Sequence, residues 1–125
     1  MKKFLFIFTG LSGLISVAMG AVAAHALQAT FPPERIATIT KASEYQILHT
    51  LVLLAIALSS VQFTRSLKFA AVFFCAGIIL FSGSLYAYVF TEIHALVYIT
   101  PFGGLSFMAG WLAICLHGFA ASKIK

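Results

Sequence analysis

The sequence predicts an all-α fold: a four-helix transmembrane bundle with a short interfacial helix between its first and second spans. Three observations predict it. Hydrophobic residues make up 62% of the chain and charged residues 9%, against about half and about a quarter in an ordinary globular domain. Too few polar residues are left to cover a soluble fold. The apolar residues gather into four runs, at about 4–24, 45–63, 69–90 and 95–117, each able to cross a ~30 Å hydrocarbon core as a helix. The basic residues are also one-sided. Lys2, Lys3, Arg65, Lys68, Lys123 and Lys125 fall in the three segments that four spans place together, whereas the other side carries Arg35 and Lys41 beside Glu34, Glu44 and Glu92. Basic residues mark the cytoplasmic side, so a single integral domain, 1–125, is expected with both termini inside. The net charge of +5 then reflects orientation and contact with anionic lipid, not nucleic-acid binding.

The first span could be mistaken for a secretory leader, since two lysines precede an apolar core and small residues follow it. The core is longer than the 7–15 residues of a typical signal sequence, and retention is expected. Ser12, Ser16, Gly20 and Ala24 recur every fourth residue and make a face that a neighbouring backbone can approach closely; Gly10 and Gly13 widen it. Gly103, Ser106 and Gly110 form a similar stripe in the fourth span. Membrane lipids are the expected partners; such faces also offer a surface for self-association, which leaves monomer and homo-oligomer both open.

The one long connection, 28–44, has Pro32 and Pro33 suited to a first helical turn and Glu34 near its positive end. A short helix lying at the outer surface and turning into span two is the economical reading. The next two connections are tight. Span two opens with Glu44, Tyr45, Gln46 and His49 just where the chain becomes almost wholly apolar. Cys75 and Cys115 have no pairing pattern and read as small buried apolar residues.

Polar residues of all four spans converge in the outer third: His25, Tyr45, Gln46, His49, Ser82, Ser84, Tyr86, Thr100 and Pro101. Pro101, inside span four, is expected to free the carbonyl near position 97. Tyr45 and His49 lie four apart and share a face, as do Ser82 and Tyr86. Three uses follow, in descending order of expectation: hydrogen bonds that glue the helices, a shallow pocket for a lipid headgroup or small polar solute, and a haem or metal held by His25 and His49. No cofactor is expected, since two histidines without a third ligand make a weak signal.

What is missing narrows the function. The chain has no Asp, and on these boundaries no Glu, Lys or Arg lies inside a span, although ion-coupled carriers normally keep one there. No nucleophile–base–orienter set, phosphate-binding glycine loop or H-E-x-x-H motif is present. A non-enzymatic membrane module is expected, with a small-solute channel or carrier as the alternative; the inner half, mostly Ala, Phe, Leu and Cys, offers no continuous polar path.

The motifs Gly20-Ala21-x-x-Ala24-His25-Ala26-Leu27, Tyr45-Gln46-x-x-His49, Ser82-Gly83-Ser84-Leu85-Tyr86 and Thr100-Pro101-x-Gly103-Gly104, with Gly110-Trp111, occur in that order. The chain thereby resembles, over essentially its full length, the uncharacterised YgdD-type family of small bacterial inner-membrane proteins. Ala23 stands where that family tends to have Gly. The resemblance implies four spans and the bacterial plasma membrane, and it carries over no catalytic residue, since the family's function is unknown.

Overall fold

A computed structural model describes residues 1–121; Lys123 and Lys125 lie outside the described residues. The fold is four helices, with no strand among the described residues: α1 (Lys2–Ala26), α2 (Pro33–Leu58), α3 (Arg65–Thr91) and α4 (Thr100–Ala121). Two of them contain π-helical stretches, Val22–Ala26 at the end of α1 and Ile78–Gly83 in the middle of α3.

Local chemistry sets the boundaries. Pro33 opens α2 after an extended Pro32, with Glu34 in the first turn, where a missing N–H costs nothing and a negative charge meets the helix dipole. Thr64 caps α3, its Oγ1 accepting from the Leu67 N–H at 3.3 Å. At the other end Glu92 takes a left-handed conformation, φ 59°, and its N–H bonds to the Tyr88 carbonyl at 2.8 Å. That reverses the chain into a single 3₁₀ turn, His94–Tyr98, before α4.

Helices α2 and α3 lie side by side; α1 packs mainly on α2, and α4 mainly on α3. Small residues permit both close pairings. On α1, Ser12 and Ser16 are buried against α2, and a Cβ on Gly20 would stand 3.4 Å from Ser43 Oγ. On α4, a Cβ at Gly103 would come within 2.4 Å of the Phe81 backbone nitrogen, in the π-helical part of α3. Gly110 similarly faces Phe74, and Gly77 on α3 faces Phe107. Both small-residue stripes are therefore used within the chain. The apolar core centres on Leu5, Leu53, Phe74, Ile78 and Phe107; a second cluster joins Ala23, Ile39 and Val89. Outward-facing Leu14, Val17, Leu51, Ile79, Leu105 and Leu112 leave the sides of the bundle apolar.

Contacts between chain ends match the charge pattern. Lys2 Nζ donates to the Ser59 carbonyl at 2.8 Å, and Thr64 Oγ1 meets His117 Nδ1 at 2.9 Å, so the start of α1, the α2–α3 turn and the end of α4 share a basic end. At the opposite, mixed-charge end Arg35 pairs with Glu92.

Several expectations need correcting. The segment expected as a separate interfacial helix is helical from Pro33 but runs unbroken into the second span. Its buried stripe of Ile39, Ala42, Gln46, His49 and Leu53 keeps helical spacing throughout, and nothing after Pro33 breaks it. The helix then stops at Leu58, not near 63. Because α2 is continuous, Glu44 lies nine residues, about 13 Å, below Arg35 in the body of the bundle. Pro101 makes no kink: it is the second residue of α4, where the N–H would lack a helical partner anyway. Cys75 is half-buried, but Cys115 is exposed on the outward face of α4. Among the described residues, α1, α3 and the stretch His94–Ala120 are long and apolar enough to cross a membrane. The 26-residue α2 is long enough, but its first half carries Glu34, Arg35, Lys41 and Glu44.

Candidate functional site

The polar residues do not form one cluster; the fold sorts them into separate sets. Gln46 is the hub of the first, on the face of α2 between α1 and α3. It is buried, its Nε2 donates to the carbonyl and Oγ of Ser12, both at 3.1 Å, and its Oε1 accepts from Tyr86 Oη at 2.7 Å. Ser12 Oγ meets Thr50 Oγ1 at 2.7 Å. One turn toward the mixed-charge end, Ser16 and Ser43 exchange hydrogen bonds to each other's carbonyls, both 2.9 Å. Ser82 Oγ donates to the Ala42 carbonyl at 2.8 Å, and Ser84 Oγ meets Thr100 Oγ1 at 2.8 Å. These bonds join α1 to α2, α2 to α3, and α3 to α4. Each member has a hydrogen-bond partner, most of them on a neighbouring helix.

His49 belongs to a second set, between α2 and α4. Its Nδ1 lies 2.7 Å from the Tyr45 carbonyl, which can only accept, so Nδ1 carries the proton. Nε2 then holds a lone pair, and it accepts from Trp111 Nε1–H at 3.3 Å. The two contacts call for the same neutral tautomer. The imidazole also stacks on Phe107 at a centroid distance of 3.6 Å and an angle of 9°. With both nitrogens engaged, His49 has no lone pair free for a metal. His25 is exposed in the π-helical end of α1, so the two histidines expected as a ligand pair have quite different surroundings. Among the described residues no group of three metal-ligating side chains occurs.

A groove of about 620 Å³ opens on this second side, bounded by α2 and α4 and floored by Phe81 and Phe107. Glu44, Tyr45 and Leu48 form one wall; Gly104, Met108 and Trp111 form the other. Tyr45, expected to share a face with His49, is half-exposed at the wall, its ring stacked on Phe81 at 4.7 Å. Pro101 is exposed and makes no part of the groove lining. The glutamate carboxylate accepts from Lys41 Nζ at 2.9 Å, across one helical turn, yet no lysine or arginine lines the groove itself. Its size is that of a small-molecule site. A second groove of about 410 Å³ lies between α1 and α3, with Gln46 and Tyr86 at its base.

Of the residues expected from sequence, Gln46, Tyr86, Ser82, Ser84 and Thr100 hold the helices together, while Tyr45 and His49 line the groove. The sequence reading did not single out Glu44, Gly104, Phe107 and Met108 as groove residues, nor Trp111 as the partner of His49. The signal for Trp111 was present: an indole donor deep in an apolar helix needs an acceptor.

Comparison with known proteins fits this architecture. Residues 19–104 match the model of a family described as a protein of unknown function, DUF423. The chain belongs to the DUF423 family. A UPF0382 membrane protein of Haemophilus influenzae is 36% identical over 124 residues, covering 99% of this chain and all of the relative. The UPF0382 inner membrane protein YgdD of Escherichia coli is 40% identical over 126 residues, covering 99% of this chain and 95% of the relative. A UPF0382 membrane protein of Staphylococcus aureus is 40% identical over 116 residues, covering 92% and 95%. No solved structure matches. Like these UPF0382 relatives, the chain is a membrane protein, and the flanks of its bundle are apolar.

Proposed function

We propose that this DUF423 protein is a non-enzymatic membrane module whose α2–α4 groove binds a lipid or small lipophilic ligand. The observation that carries the reading is the groove itself. It is open along the side of the bundle, lined mostly by aromatic and aliphatic side chains, and holds one carboxylate at its mixed-charge end. The hydrogen-bonded set around Gln46 stays structural in this reading, since its donors and acceptors already satisfy one another.

The protein crosses the bacterial inner membrane four times with both termini in the cytoplasm. The name of the Escherichia coli relative supports the location, and six basic residues against two support the orientation. The fourth crossing is α2, whose polar start pairs with the end of α3 through Arg35 and Glu92. The two small-residue faces are occupied inside the bundle, so the partner proposed here is lipid rather than a second copy.

One observation favours a second reading, a small-solute carrier. Glu44 lies in the body of the bundle, where an ionisable residue marks a substrate or ion site by default. The first test is native mass spectrometry of protein released gently from lipid nanodiscs. A bound lipid-phase species surviving release is expected, and bare protein under all conditions would reject the reading.

A further inference from the structure

The geometry points to the class of ligand: a lipophilic ammonium compound, its cationic head at Glu44 and its apolar body laid along the groove toward Trp111. This inference rests on the ligand-binding reading of the groove. Three features of the lining select the class. First, the formal charge there is Glu44 alone, because His49 is neutral with both nitrogens engaged and Lys41 grips the carboxylate from outside the groove. The Lys41–Glu44 pair is more than half exposed on both sides, the kind of ion pair whose partner is readily exchanged, and a carboxylate has acceptor sites beyond the one Lys41 uses. Second, the half-exposed rings of Tyr45 and Trp111 flank the channel while Phe81 and Phe107 floor it. A ring face near a carboxylate is the chemistry that holds ammonium heads, and Tyr45 follows Glu44 directly in the wall of α2. Third, Glu44 lies about 13 Å below the Arg35–Glu92 pair, a depth a membrane-soluble amine reaches more readily than a phosphate-bearing headgroup.

Gly104 shapes the entrance. No atom lies within 4 Å of where its Cβ would be, so the wall of α4 is left open opposite Glu44. Trp111 is the single tryptophan of the chain, and it reports occupancy without labelling.

The test uses bromoundecyl chains ending in trimethylammonium, hydroxyl or sulfate, titrated into the full-length protein in nanodiscs with Trp111 fluorescence as the readout. Saturable quenching by the ammonium probe is expected, with affinity lowered about tenfold by Glu44→Gln, the loss of one charged hydrogen-bonded contact. The melting temperature of Glu44→Gln, whose side chain is exposed, should match that of the parent and separate lost binding from lost fold. Saturable quenching of equal affinity by all three probes, or an ammonium affinity unchanged by Glu44→Gln, would overturn the ammonium assignment and leave the groove reading intact. Preference for the sulfate probe would assign the site to anionic lipid through Lys41 and also overturn it. Quenching that only follows probe concentration, for every probe, would remove the groove reading together with this one.

Discussion

Trp111 Nε1–H donates to His49 Nε2 at 3.3 Å, between α4 and α2 and beside the stack of the same imidazole on Phe107. The bond fixes the imidazole as the Nδ1–H tautomer and holds the indole edge-on to Phe74, 5.4 Å between centroids. Trp111→Phe keeps most of the ring but deletes the donor. It should cost roughly 1–3 kcal/mol by leaving a buried acceptor unpaired. His49→Ala should cost at least as much, since the stack on Phe107 goes too. In a double-mutant cycle read by unfolding in detergent, the pair should lose less than the sum. Strict additivity would mean that the bond does not form.

Tyr86 Oη and Gln46 Oε1, 2.7 Å apart, make the second coupled pair. Tyr86→Phe removes only the hydroxyl and leaves a buried amide oxygen without its donor, again a loss of roughly 1–3 kcal/mol. Coupling to Gln46→Leu is expected. Tyr86→Phe and His49→Ala, by contrast, should add to within about 0.5 kcal/mol, because they share no partner. Strong coupling between those two would restore the single network that sequence spacing suggests.

That difference shows what could be read in the sequence. The helical class and the apolar runs of the first, third and fourth helices are properties of residues taken in order, and the structure has them. Tyr86, Gln46, Ser82, Ser84 and Thr100 were found as polar groups in apolar helices, which must have partners. Which partner each one takes depends on rotation about the helix axes, and no spacing rule sets the relative rotation of four helices. Tyr45 illustrates this: four residues from His49 and on its face, it stacks at the groove wall instead of turning inward. Depth depends on where the helix begins. The chain from Pro33 to Leu58 is a single helix, so Glu44 and His49 lie deeper than a surface helix turning into a span would put them. The π-helical stretch at Ile78–Gly83, which brings the Phe81 backbone against Gly103, has no sequence signature at all.

The glycines give a test of packing. Gly103→Ala would drive a methyl into the Phe81 backbone, with 2.4 Å available, and Gly110→Ala would meet the Phe74 ring at 2.7 Å. Each should destabilise by about 1–3 kcal/mol or more, Gly103 the worse because backbone cannot swing aside. Gly13→Ala meets nothing within 4 Å and should be neutral or stabilising by up to ~1 kcal/mol from helix propensity. Equal effects at Gly13 and Gly103, measured as melting temperatures in one detergent, would contradict the close α3–α4 approach.

Orientation can be tested separately. A reporter fused after Lys125 should be active only in the cytoplasm, and a cysteine placed at Glu92 should react with a membrane-impermeant reagent added outside. Reporter activity outside the membrane would overturn both the four-span count and the placement of the groove mouth in the outer half.

The groove reading is tested most directly by filling it. Gly104→Leu extends a side chain into open space opposite Glu44, with no neighbouring atom within 4 Å of its Cβ, so the fold should survive. In native mass spectra of the two proteins purified side by side, the parent should retain a bound lipid-phase species and Gly104→Leu, with an unchanged melting temperature, should lose it. The same species bound equally by both proteins would show that whatever the chain carries does not sit in the α2–α4 groove.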